Sequence, residues 1–204
     1  MGNFSAIIFD LGKVVFDLSF DWTFQYWAKV SGKPFDDIRS RFRFDEVFDR
    51  FERGEISAGE FRKEVSQRLD IILSDEDFDK GWCDLYLDTY KNIDNLLTGL
   101  KHDYKLVALT NTNIIHDKVW KVKYADTLIH FEKVFCSHEL KTRKPEKKAY
   151  QFVLDYLHVK PGHAIFLDDN SENVKGAAAL GIATILVTSQ AQMNEGLKKI
   201  GLLI

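Results

Sequence analysis

The sequence of 204 residues predicts an α/β protein: a doubly wound parallel sheet covered by helices, with a helical cap inserted after the first strand. Three observations carry this. From residue 93 onward, short apolar runs alternate with segments of helical period. Between about Asp21 and Asn92 the period is helical and no convincing strand occurs. Several apolar runs end in a carboxylate or hydroxyl group, which is how buried parallel strands deliver reactive groups at their carboxyl edge. The boundaries that follow are a core of residues 1–17 and 93–204 and a cap of residues 18–92.

The first run, Ala6-Ile7-Ile8-Phe9, leads into Asp10-Leu11-Gly12. Asp and Gly suit an ordinary turn; Asp10 is also the candidate nucleophile if later strand ends bring complementary chemistry. In the insert, Phe20, Phe24 and Trp27, then Ile38, Phe42, Val47 and Phe51, recur at intervals that suit amphipathic helices. Ser57 ahead of Glu60 matches a capping box opening a helix through Phe61, Val65 and Leu69. Ser74, Asp75 and Asp77 open another through Phe78, Trp82, Leu85 and Leu87. Four or so short helices result, placed as a lid over the sheet's carboxyl edge. Phe42, Phe44, Phe48 and Phe51 are expected mostly in the core of that bundle. Arg43, Glu46, Glu52 and Arg53 read as mostly solvated, with one or two facing the pocket.

A helix from Ile93 to Leu100 leads into the run Lys105 to Thr110, followed by Asn111, Thr112 and Asn113. These small donors form either a cradle for an oxyanion or phosphate or an N-cap for the helix holding Ile114, Ile115 and Trp120. Phe131 to Ser137 reads as a third strand. Lys144 comes next, just ahead of a helix that Pro145 opens through Tyr150, Val153, Leu154 and Leu157. A lysine there is electrostatically out of place unless it meets an anion; the alternative is a surface basic patch. The fourth strand, His163 to Leu167, ends in Asp168-Asp169-Asn170. Adjacent carboxylates repel, so a hard divalent cation such as Mg²⁺ is their natural partner. An N-cap pair for the helix through Val174 and Ala177 to Leu180 is the alternative. Gly181 ends that helix and Ile182 to Val187 makes a fifth strand.

Composition narrows the partners. Hydrophobic residues at 45% and aromatic residues at 13% exclude a disordered chain. With 28 basic and 31 acidic residues, a net charge of −3 and no dense basic tract, neither nucleic acid nor an anionic membrane is an expected partner. Cys83 and Cys136 lack a second Cys or His at metal-ligand spacing and read as buried free thiols in a reducing compartment. No apolar run reaches the roughly 18 residues of a membrane span. The first strand begins too early for a signal peptide, and Met1-Gly2-Asn3-Phe4-Ser5-Ala6 lacks the Ser or Thr of a myristoylation site. These features predict a cytoplasmic protein acting on a small molecule, and they do not fix whether it is a monomer or a weak dimer.

The order of sites resembles the haloacid dehalogenase superfamily over nearly the whole chain. The resemblance lies in Phe9-Asp10-Leu11-Gly12, Leu109-Thr110-Asn111, Lys144-Pro145 and Phe166-Leu167-Asp168-Asp169-Asn170, four weak motifs that together, in this order, are specific. It implies a Rossmann-like core, and the helical insert is similar to that superfamily's first type of cap. Gly12, Phe51-Glu52-Arg53-Gly54-Glu55-Ile56-Ser57, Thr110-Asn111-Thr112-Asn113 and Arg143-Lys144-Pro145-Glu146 together resemble the bacterial alpha-D-glucose-1-phosphate phosphatase type within it. By that resemblance Asp10 attacks phosphorus and becomes an aspartyl phosphate, while Thr110 and Asn111 hold phosphate oxygens. Lys144 binds and neutralises the transferring group. Mg²⁺ is held by Asp10, the carbonyl of Gly12, Asp169 and, directly or at one remove, Asp168. The implied function is a Mg²⁺-dependent phosphatase acting on a small phosphorylated metabolite, a sugar phosphate and possibly a sugar 1-phosphate.

One departure matters. Many phosphatases of this superfamily carry a second Asp two residues after the nucleophile as general acid and base, and this sequence has Gly12 there. A positioned acid or base contributes ~10²–10⁴ in rate. The expected consequence is a substrate with a good leaving group, such as an anomeric oxygen, or an acid supplied by the cap or a water. Two other functions compete: a metal-free 2-haloacid dehalogenase, which the pair Asp168 and Asp169 argues against, and a catalytically retired relative that binds phosphometabolites or a protein.

Overall fold

The computed structural model describes residues 4–202; the first three residues of the myristoylation-like segment lie outside the described residues. Seven strands occur among them: β1 Ala6–Phe9, β2 Phe16–Leu18, β3 Tyr86–Thr89, β4 Lys105–Thr110, β5 Lys133–Cys136, β6 Ala164–Asp168 and β7 Ala183–Leu186. Five of these form a parallel sheet in the order β5-β4-β1-β6-β7. The chain leaves β1 for one side, then returns to the other. The crevice outside the carboxyl end of β1 is therefore the point where strand order reverses, the usual ligand position in such sheets.

β1 is central because both of its faces are apolar. Ile7 and Phe9 pack with Leu97, Trp120 and Leu197 on one side, and Ala6 and Ile8 with Tyr150, Val153 and Ala177 on the other, all close to fully buried. Side chains alternate between faces with period two, so a strand in the middle of a layered domain has no polar side to spare. Each of the buried Ile, Leu, Val and Phe side chains contributes about 1.5–3 kcal/mol.

The insert contains five helices, Phe20–Ser31, Phe35–Arg41, Glu46–Glu52, Ala58–Leu69 and Asp75–Cys83, around an aromatic cluster of its own that includes Trp27, Phe42, Phe51, Phe61, Phe78 and Trp82. The capping box at Ser57 and Glu60 is present. At the base of the insert β2 and β3 pair antiparallel, which corrects the expectation of no strand between Asp21 and Asn92. Leu85 and Leu87 are not helical: the Asp84 N–H closes the last turn on the Gly81 carbonyl, and the Leu85 carbonyl accepts from the Ser19 N–H. Tyr86 and Thr89 then continue in the extended form that aromatic and β-branched residues favour. Phe44 is also corrected: it is 60% exposed, at the rim of a cavity, whereas Phe48 and Phe51 are buried.

Two smaller corrections follow. The helix after Lys144 runs Lys147–Leu157 with Glu146 at its N-cap, so Pro145 precedes the helix instead of opening its first turn. Cys136 is buried but Cys83, at a helix end, is only partly so; both thiols are free. Among the described residues no helix is long and apolar enough to cross a membrane.

Candidate active site

Asp10 is the first residue beyond β1, and its N–H donates to the Leu167 carbonyl of β6 at 2.8 Å, which continues the sheet ladder and fixes where the side chain emerges. Its Oδ1 accepts from the Leu11 N–H at 2.7 Å and from the Lys144 ammonium at 2.8 Å. Oδ2 accepts no hydrogen bond from the described residues. Burial pushes the Asp10 carboxyl up to about 7, against the downward pull of Lys144.

Lys144 is 1% exposed, so it is no surface lysine. Its ammonium reaches Asp10 and, at 2.6 Å, Oδ2 of Asp168. Burial opposes the charge, but Asp10 and Asp168 more than offset it and the pKa is raised. Asn111 holds the backbone of Lys144 at both ends: its Nδ2 donates to the Lys144 carbonyl and its Oδ1 accepts from the Lys144 N–H, each at 2.9 Å. The Asn111 side chain thus positions Lys144, and one Nδ2 hydrogen is left over at the cavity that Asn111 lines. Thr110, last residue of β4, is buried and lines the cavity. Beyond it the N-cap alternative holds for Asn113, whose Oδ1 accepts from the Ile115 and His116 N–H groups.

Asp168 closes β6 and is fully buried. Oδ1 accepts from the Asn170 N–H at 2.7 Å, and the Asn173 amide donates to both oxygens at 3.1 Å. Asn170, not the Asp pair, caps the following helix. Asp169 is partly buried beside the cavity, its carboxyl raised by burial and by Asp168. Carboxylate oxygens of Asp10, Asp168 and Asp169 lie within 4.8 Å of one another. An all-oxygen set of this kind fits a hard divalent cation. A second group, Asp117, His138 and Glu139, is as closely spaced, with the Lys121 ammonium between Asp117 and Glu139 at 2.8 and 3.2 Å, but it does not line the cavity that Asp10 and Asp169 share.

These groups open into a cavity of about 630 Å³ that Asp10, Gly12, Thr110, Asn111, Lys144 and Asp169 share with the insert. Phe20, Phe44, Phe48, Asp49 and Glu52 form the opposite wall. Arg143 joins the halves: Nη1 reaches Asp49 at 2.5 Å, and Nε and Nη2 reach Oε2 of Glu52 at 2.9 and 2.8 Å. Of the charges read as mostly solvated, Arg43 and Glu46 are exposed, whereas Glu52 is buried. Arg143, Glu52, Asp49 and Asn173 carry no strong local signal; for Arg143 the only hint is its place beside Lys144. His116 also lines the cavity, but Trp82 and Asn113 occupy both ring nitrogens, and burial pulls its pKa down to about 3.

Known proteins place this geometry in context. The sequence profile of haloacid dehalogenase-like hydrolases matches residues 44–187. The chain is 26% identical over 197 residues to a D-ribitol-5-phosphate phosphatase of Bacteroides thetaiotaomicron, covering 94% of this chain and 95% of that protein. A phosphatase of Mycobacterium tuberculosis is 24% identical, with 95% and 92% covered. A crystal structure of a Bacteroides thetaiotaomicron enzyme of the same family, in complex with magnesium and inorganic phosphate, superposes with a TM-score of 0.76 at 30% identity, over 89% of this chain and 92% of that one. With a profile spanning most of its length and a sheet whose reversal point carries the aspartate of the first motif, the chain belongs to the haloacid dehalogenase-like hydrolase family.

Proposed function

We propose that this protein is a Mg²⁺-dependent phosphomonoesterase that works through an aspartyl phosphate on Asp10, with residues 18–92 as the cap over its substrate. The observation that carries this is the state of Asp10: Oδ1 is pinned by Leu11 and Lys144 while Oδ2 takes no hydrogen bond from the described residues. Asp10 attacks phosphorus, and the bond to the leaving oxygen breaks. The Lys144 ammonium offsets the charge of the transferring group, and Thr110 faces its oxygens. Water then hydrolyses the acyl phosphate. Asp10, Asp169, the Gly12 carbonyl and Asp168 would hold the cation, with Asp168 chiefly anchoring Lys144, since both of its oxygens already accept hydrogen bonds. Bound there, Mg²⁺ supplies positive charge to phosphate oxygens.

The substrate class is a small phosphorylated sugar or polyol. Aromatic faces of Phe20, Phe44 and Phe48 with charged groups of Asp49, Glu52 and Arg143 suit a ring or chain carrying both C–H and O–H groups, and the relative named above acts on a pentitol phosphate. A sugar 1-phosphate is the member whose leaving oxygen departs most easily without an acid at position 12.

A phosphate-release screen over phosphorylated metabolites, with and without Mg²⁺ and beside Asp10→Asn, tests the reading. Release from sugar or polyol phosphates, lost with a chelator and in the variant, is the expected result. Chelator-insensitive activity on 2-haloacids would revive the dehalogenase, and ligand binding without turnover would mark a retired enzyme.

A further inference from the structure

Position 12 supplies no proton carrier for the leaving group. A Cβ added at Gly12 would meet Cδ2 of Leu18 at 2.6 Å, so a leucine fills the space where an acidic side chain at that position would begin. His116 is neutral with both ring nitrogens committed. Asp10 and Asp169 belong to the nucleophile and cation site.

Glu52 stands apart from these. It is 6% exposed, at the end of the cap helix Glu46–Glu52, and it lines the same cavity as Asp10. Arg143 takes Oε2 with two nitrogens, while Oε1 accepts no hydrogen bond from the described residues and is not among the sealed, unpartnered atoms. Arg143 and Lys144 are consecutive, their α-carbons about 3.8 Å apart, so one loop holds Glu52 from the cap side and Asp10 from the sheet side. In-line attack by Asp10 puts the leaving oxygen on the far side of phosphorus, within the cavity whose insert wall carries Glu52.

We propose that Glu52 is the catalytic acid and base of this enzyme, standing in from the cap for the carboxylate missing at position 12. The proposal rests on the phosphatase reading. In the first half-reaction the P–O bond breaks with its electron pair on the leaving oxygen, which takes the Glu52 proton and departs as an alcohol. In the second, water attacks the aspartyl phosphate and gives a proton to the Glu52 carboxylate, and Asp10 leaves as a carboxylate. Burial holds Glu52 at about 7, against the opposing pull of Arg143 and Lys144 and with support from Asp49, so a proton is at hand near neutral pH. With such a donor, primary-alcohol phosphates become accessible as well as anomeric ones.

The test is single-turnover release of the leaving group, with wild type or Glu52→Gln in excess over a primary-alcohol sugar phosphate or 4-nitrophenyl phosphate. Glutamine keeps an oxygen for Arg143, and nitrophenol release reports that the variant site is folded. The expected result is a ~10²–10⁴-fold loss on the sugar phosphate with less than ~10-fold on the aryl ester, whose leaving group needs no proton. The aryl ester should then leave phosphate trapped on Asp10 in the variant, for want of a base. Equal losses on the two substrates, or no loss on either, would overturn the role of Glu52 while leaving the phosphatase reading intact. A wild type inactive on both would remove the phosphatase reading and this proposal together.

Discussion

The two halves of the cavity are gripped by neighbours in sequence, and the grips differ in kind. Lys144, 1% exposed, turns toward the sheet and ties Asp10 to Asp168, both on strand ends that the parallel ladder fixes. Arg143, with 19% of its side chain exposed, turns the other way and ties Asp49 and Glu52, which reach it only because the insert is docked. The sheet half is held by the backbone ladder, whereas the insert half is held to it at this point by side-chain bonds alone. One loop therefore joins the two.

Breaking the sheet half should cost most. Asp10→Asn is expected to lower kcat by ~10⁴-fold or more, as removal of a covalent nucleophile does, with a folded protein by circular dichroism. Lys144→Met should lower kcat by ~10²–10³-fold. It should also destabilise the metal-free protein by about 3–5 kcal/mol in denaturant unfolding, because Asp10 and Asp168 are left buried without their shared cation. Arg143→Met should cost less, about 1–3 kcal/mol. Its effect should be local: amide exchange accelerates in Glu46–Glu52 and not in β1 or β6. Equal exchange effects in the two regions would contradict the division drawn here.

The pH dependence sharpens the same contrast. Glu52 titrates at about 7 against an ordinary 4.5, a raised carboxyl, so the folded state holds a proton that the unfolded chain releases. Its contribution to stability is full below about 4.5 and is lost as pH rises to about 7. Thermal melts of wild type across that window should therefore decline more steeply than those of Glu52→Gln. The smallest effect belongs to Phe44→Ala, which should change stability by no more than about 0.5 kcal/mol. It should raise KM for the sugar phosphate several-fold, since the ring stands 60% exposed at the cavity rim.

What the sequence disclosed follows the same line. Asp10, Thr110 and Asp168 each terminate or follow an apolar run that can only be a buried strand, so composition and order locate them. Lys144 was legible as a cation out of place at a helix start. Glu52 was legible only as one of four charges of which one or two would face the pocket, and Arg143 only by its place beside Lys144, because a charged residue at a helix end and another in a polar loop are usually solvated; docking of the insert buries one against the other. The pairing of β2 with β3 was hidden for a related reason: strands of three and four residues are too short to show a period, and Leu85 and Leu87 happen to extend the helical spacing. Asn111 was visible as a polar residue, but its two bonds to Lys144 lie across a separation of 33 positions that no local pattern encodes.

The central claim is that Asp10 itself captures the phosphoryl group. The most direct measurement is rapid acid quench of wild type during turnover of a radiolabelled sugar phosphate in Mg²⁺, followed by peptide mapping. Hydroxylamine-labile label on the peptide that contains Asp10, absent in Asp10→Asn, is the predicted result. Phosphate release in a single turnover with no label on that peptide at any time point, or label retained in the variant, would contradict the account.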